Sequence, residues 1–288
     1  MRRRDVLYGP VLFLALPALA REVPLPPVAE YERKSGGHIG FYAENLRTGR
    51  QLGWRADERF VMCSTFKASL AACVLLHVDR GCDGLERAIH YGKANMRDWH
   101  APVAQANLAK GWLSVGEMCK AAVEQSDNTC ATLLLSRIGG PAALTAFWRR
   151  IGDGVTRLDD TELALNFRSL DDTRDTTTPA AMARTLRRLV FEDVLSNRSR
   201  RALTGWLIGC QTGGNRLRAG LPANWLIGDK TGNNGRDAAG DIAVAWPRAD
   251  VPIVVAVYTR GGSPTPGQLK TAFAGIGRFV GIHLSGTA

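Results

Sequence analysis

The chain has 288 residues, 45% of them hydrophobic, and a formal net charge of +10. That much apolar sequence supports a full core and excludes a disordered chain, and no internal repeat or low-complexity tract points to a solenoid or a string of modules. The arginines are scattered, with no basic block flanked by aromatics, which argues against a nucleic-acid groove binder and for a solvated basic surface.

At the N-terminus Arg2-Arg3-Arg4 precedes an apolar run from Val6 to Ala20 that ends in Ala18-Leu19-Ala20. Residues 1–20 read as an export signal cleaved after Ala20, because the run is short for a bilayer span and small residues stand where a signal peptidase cuts. Arg3-Arg4-Asp5-Val6-Leu7 fits a twin-arginine signal, with a plain Sec signal as the alternative. The mature chain, 21–288, is still basic and is expected to be periplasmic or secreted, monomeric, and without stable membrane association.

A short helix is predicted near Pro27 to Ser35, followed by a hairpin of His38 to Asn45 and Gln51 to Trp54 that turns at Arg47-Thr48-Gly49-Arg50. Met62 to Leu76 then reads as a helix buried on nearly every side, stopped by Gly81. Within it Ser64 and Lys67 are three apart and share a face, with the serine at the positive end of the helix dipole. A desolvated lysine beside a hydroxyl suits a serine nucleophile, although Ser-x-x-Lys alone is a common pattern.

Helices are expected around Ser114 to Val123, Asn128 to Ile138, Pro141 to Ile151 and Pro179 to Phe191, in a helical stretch from about Thr65 to Ala202. Strands return at Trp225 to Asp229, Asp241 to Trp246 and Ile253 to Thr259, and Pro266 to Leu284 closes the chain as a helix. Sheet, helices, then sheet again imply a discontinuous α/β lobe (about 21–60 and 212–288) with an all-α lobe (about 61–211) inserted and a cleft between them.

Three further stretches carry chemistry. Ser126-Asp127-Asn128 opens a helix; its residues are good caps, but beside Ser64 and Lys67 the Ser126 hydroxyl can pass a proton to a leaving nitrogen and Asn128 can bind a substrate amide. Lys230-Thr231-Gly232 ends a strand, offering a cation and a hydroxyl to a carboxylate and a glycine that lets a substrate backbone lie close. Arg157 to Asp175 is a long charged loop in which Glu162 and Asn166, four apart, can aim at one water as a general-base pair.

These motifs, in this order and spacing, resemble the class A serine β-lactamases over about Ala29 to the C-terminus, and Thr176-Thr177-Thr178-Pro179 matches that family as well. The resemblance implies an α/β (α+β) fold, a three-layer α/β/α sandwich with an antiparallel sheet, and β-lactam hydrolysis that confers resistance. It assigns Ser64 as nucleophile, Ser126 as proton donor to the departing nitrogen and Glu162 as the deacylation base. Whether Lys67 or Glu162 activates Ser64 is left open. The backbone of Ser64 and Asn233 would form the oxyanion hole, Asn128 and Asn166 would contact substrate amide and water, and Arg216 would join Lys230, Thr231 and Gly232 around the substrate carboxylate, since Ala239 stands where many relatives carry an arginine. Trp99 or His100 would be the entrance aromatic.

Two departures stand out. Asp160 occupies the position from which many relatives pair an arginine with the counterpart of Asp175, so the loop neck is expected to close by other contacts, Arg157 or Arg174, and the loop to be more mobile. Cys63 faces Asn234 instead of a second cysteine, and the half-cystine position of Cys119 is matched by Ala71 rather than Cys73. The six cysteines and five histidines show no metal-ligand spacing, so no metal or cofactor is expected. The rivals are a penicillin-binding DD-peptidase and a non-hydrolysing β-lactam sensor, both of which should lack Glu162.

Overall fold

The computed structural model describes residues 21–22, 25–97, 100–169 and 171–286. The export-signal reading of residues 1–20 and the Trp99 assignment lie outside these.

A six-stranded sheet organises the fold. Arg21–Glu22, Gln51–Trp54, His38–Asn45, Ile253–Arg260, Ala239–Trp246 and Leu226–Asn233 lie side by side in that order. Late strands thus complete a sheet that the N-terminal hairpin began. All pairs are antiparallel except the edge, where Arg21–Glu22 runs parallel to Gln51–Trp54.

Both faces of the sheet are covered, and strand alternation decides which residue serves which layer. Ile253, Val255 and Val257 pack with Ile39 and Phe41 against the helices Pro26–Ser35 and Pro266–Leu284. Val254, Ala256 and Tyr258 join Tyr42 and Val244 in the larger core, which includes the helices Phe66–Asp79, Val115–Glu124, Asn128–Arg137 and Pro179–Phe191.

Phe66–Asp79 is the central helix of that core. Every residue from Phe66 to Leu75 is buried, Lys67 included, and the helix ends at Asp79, with Gly81 just past its Arg80 cap at a φ of +72° that suits glycine. The stretch expected to be wholly helical also holds two short ladders, Ala88–His90 with Trp112–Ser114 and Phe60–Val61 with Thr176–Thr177. The second ties the C-terminal end of the Arg157 to Asp175 region to the segment leading into the central helix. At two or three residues per strand, such ladders carry no periodicity that the sequence could reveal.

Candidate active site

Ser64 sits in a one-turn 3-10 segment, Cys63–Thr65, that runs straight into the buried helix, so Ser64 and Lys67 fall on one face. The strand Leu226–Asn233 passes across this segment at close range. A Cβ on Gly232 would lie 2.8 Å from Met62 O and 2.9 Å from Ser64 N, which is why glycine follows Lys230-Thr231. The cleft at this crossing holds about 280 Å³ and is lined by Ser64, His100, Ser126, Asn128, Thr212, Arg216, Thr231, Gly232 and Asn233.

Lys67 is fully buried. Its Nζ donates to Ser126 O at 2.9 Å, to Asn128 Oδ1 at short range and weakly to Ser126 Oγ at 3.5 Å, and lies 3.3 Å from Glu162 Oε1. Burial pulls the Lys67 pKa below its ordinary value, opposed by the Glu162 carboxylate. Lys230, also buried, donates to Ser126 Oγ at 3.0 Å and to Thr231 O at 2.6 Å. Its pKa is brought down to about 8 by burial and then by repulsion from Lys67. The Ser126 hydroxyl therefore lies between two lysines.

The Ser126-Asp127-Asn128 turn divides its work. Asp127 is the structural member: fully buried, it accepts from Cys130 N at 2.8 Å as helix cap and from Val103 N and Ala104 N at 3.0 and 2.9 Å. With the turn so anchored, Ser126 holds a φ of +56° and points into the cleft. Asn128 engages Lys67 through Oδ1, which leaves its Nδ2 for a carbonyl. His100 lies at the exposed rim, its Nε2 2.8 Å from Gln125 O.

Glu162 and Asn166 lie in one short turn of the long loop, and both are buried. Asn166 Nδ2 donates to Glu162 Oε2 at 2.7 Å, while Glu162 Oε1 and Asn166 Oδ1 have no hydrogen-bond partner among the described residues. Glu162 Oε1 has only the Lys67 ammonium beside it at 3.3 Å and Asn166 Oδ1 has no donor, so the two oxygens form a buried site that fits a water's hydrogens.

The loop neck is closed chiefly by Arg168, a cation the sequence reading did not name, with Arg174 reaching Asp160 at 3.9 Å. Arg168 pairs with Asp175 and Asp160 together. Arg157 and Arg174 are taken up by nearer carboxylates, Asp159 at 2.5 Å and Asp172 at 2.7 Å. Arg157 contributes at one remove, since Asp159 also accepts from Asp175 N at 3.1 Å.

Arg216 opens into the cleft over the Phe273 ring at 5.0 Å, and burial lowers its pKa against the field of Asp241. Thr212, which carries no sequence signal, lies 2.5 Å from Thr231 through the two hydroxyl oxygens. All six cysteines are free. Burial and the nearby Glu162 push the Cys63 thiol far above its ordinary range, which disfavours the thiolate form a cysteine nucleophile needs. Among the described residues no group of His, Cys, Asp and Glu could hold a metal ion.

The profile of the Beta-lactamase enzyme family matches residues 27–283. A reconstructed class A β-lactamase of the last common ancestor of Gram-negative bacteria is 52% identical and superposes with a TM-score of 0.85, covering 88% of this chain and 96% of that one. A β-lactamase from Xanthomonas campestris pv. campestris is 44% identical with a TM-score of 0.86, covering 90% of this chain and 96% of that one. The chain belongs to the β-lactamase enzyme family, within class A.

Proposed function

We propose that this β-lactamase opens its substrate through an acyl-enzyme on Ser64 and releases it with water activated by Glu162. The buried pair of carbonyl-type oxygens, Glu162 Oε1 beside the Lys67 ammonium and Asn166 Oδ1 without a hydrogen-bond donor, carries this reading. An enzyme that acylates and stops has no use for a carboxylate aimed at a water beside its nucleophile.

In the first step Ser64 Oγ attacks the lactam carbonyl carbon. Its proton passes to Lys67, whose lowered pKa suits the task, or to Glu162 through the water. Backbone N–H groups of Ser64 and Asn233 receive the oxyanion, where one donor is worth about 3 kcal/mol. Ser126, between Lys67 and Lys230, hands a proton to the lactam nitrogen as the C–N bond breaks. Lys230, Thr231 and Arg216 bind the substrate carboxylate alongside Gly232, and Asn128 Nδ2 binds the side-chain carbonyl. In the second step Glu162 takes a proton from the water held with Asn166, the water attacks the ester, and Ser64 leaves.

The cleft lies where the sheet lobe meets the helical lobe, and we take the two as halves of one domain, working as a monomer without metal or cofactor. We read residues 1–20 as its export signal, which puts the enzyme in the periplasm or outside the cell. Among the described residues no single helix is long and apolar enough to cross a membrane.

The test is benzylpenicillin turnover by purified protein, followed over many equivalents, with intact-protein mass spectrometry of wild type and Glu162→Ala. Sustained wild-type hydrolysis and a stable Ser64 adduct only in the variant are expected. A persistent wild-type adduct after one equivalent would instead mean a sensor or penicillin-binding protein.

A further inference from the structure

A second cavity, of about 710 Å³, lies behind the loop that carries Glu162 and shares no lining residue with the serine cleft. Its size is that of a small-molecule site. Asn166 and Asn234 stand at the edge nearest the cleft, where Asn234 Nδ2 donates to Asn166 O at 3.1 Å.

The lining is rich in guanidinium groups from separate elements: Arg59 ahead of the central helix, Arg168 in the loop, Arg236 in the hairpin turn, and Arg260 at the end of its strand. Two carboxylates oppose them, and both are engaged. Asp172 is paired with Arg174 at 2.7 Å, and Asp237 accepts from Asn234 Nδ2 at 3.0 Å and Gly261 N at 2.9 Å.

The arginines are less completely matched. Arg168 is held by Asp160 and Asp175, but Arg260 reaches Glu58 at 3.0 Å through Nη2 while its Nε is buried without a hydrogen-bond partner. Arg59 donates to two neutral oxygens, Val155 O at 3.1 Å and Thr176 Oγ1 at 3.0 Å. Arg236 lies 5.7 Å over the Phe167 ring, an exposed aromatic, and no carboxylate of the described residues is in ion-pair range of Arg59 or Arg236.

We infer that this cavity is a second binding site, for a small oxyanion bearing carboxylate or phosphate groups. Planar guanidinium forks from several elements suit the paired oxygens of such a group, and the buried Arg260 Nε–H meets no acceptor among the described residues.

Calorimetric titration of the purified protein with citrate and with inorganic phosphate, at ionic strength held constant with sodium chloride, tests it. Saturable binding of at least one anion is expected, with Kd raised about tenfold or more in Arg59→Gln and in Arg236→Gln, the effect of losing one charge-assisted hydrogen bond. Arg236 is exposed and its side chain makes no hydrogen bond among the described residues, so its variant tests the site even if Arg59→Gln fails to fold. The anion that saturates identifies the ligand chemistry. Repeating the titration on Glu162→Ala protein acylated at Ser64 separates this cavity from the carboxylate subsite at Lys230, and the affinity should survive acylation. Absence of saturable binding with either anion, unchanged affinity in both arginine variants, or displacement by acylation each overturns the proposal.

Discussion

Replacing Arg168 by methionine asks how firmly the loop holds Glu162. Arg168 Nε donates to Asp175 Oδ2 at 2.8 Å, and its Nη2 reaches both Asp175 and Asp160. Asp175 is fully buried and, among the described residues, otherwise receives only the backbone N–H groups of Asp159 and Asp160, at 2.8 and 3.0 Å. Removing the arginine strands that carboxylate, and breaking one side of a buried pair costs about 3–5 kcal/mol. The Asp160 arm is a smaller effect, about 1 kcal/mol or less, because its side chain is 39% exposed. The loss falls on the loop before the core, since Asp160 and Arg168 bracket the turn with Glu162 and Asn166 just inside. A displacement of about 1 Å at a catalytic group can cost roughly a hundredfold. For Arg168→Met we therefore expect kcat on benzylpenicillin to fall about a hundredfold and KM to fall with it, with acyl-enzyme the dominant species by mass spectrometry at steady state. Asp160→Asn should change kcat by less than about fivefold, the equivalent of 1 kcal/mol. A lowered Tm with near wild-type kcat, or slow turnover without accumulated acyl-enzyme, refutes the link between neck and base.

Lys230 gives a pH test. With a pKa near 8 it is charged below that pH and neutral above it, so attraction for the substrate carboxylate fades as pH rises and kcat/KM should fall above about pH 8. Lys230→Arg keeps the charge and should move this alkaline limb upward; an unmoved limb would assign it to another group. Gly232→Ala should lower kcat/KM by about a hundredfold or more with the fold intact by circular dichroism, because the added Cβ would lie 2.9 Å from Ser64 N and must push the strand away from the oxyanion donors. A loss under about fivefold would mean that the strand can shift without consequence. Titration of the native protein with a disulfide reagent should find one fast thiol, Cys82, since it alone is exposed; a second fast equivalent would show that a buried cysteine opens.

The parts of the site that were legible in the sequence are those whose geometry is local. Ser64 and Lys67 share a face because they are three apart on a helix, and Gly232 follows Thr231 along one strand, so spacing alone sets their relation. Asp127 was legible only as a cap, which is what it proves to be; that it also holds Val103 and Ala104 depends on a helix 23 residues earlier folding back to it. The neck shows the limit most clearly. The loop carries arginines at 157, 168 and 174 and aspartates at 159, 160, 171, 172 and 175, and many pairings are compatible with that order. Near neighbours pair first, Arg157 with Asp159 and Arg174 with Asp172, each two residues apart. That leaves Arg168 to span the distance to Asp160 and Asp175. Loop charges follow no period, so only the folded path of the backbone shows which cation is left over. Here the leftover cation sits two residues from Asn166, and so the charge that closes the neck is also the one that holds the turn we propose binds water.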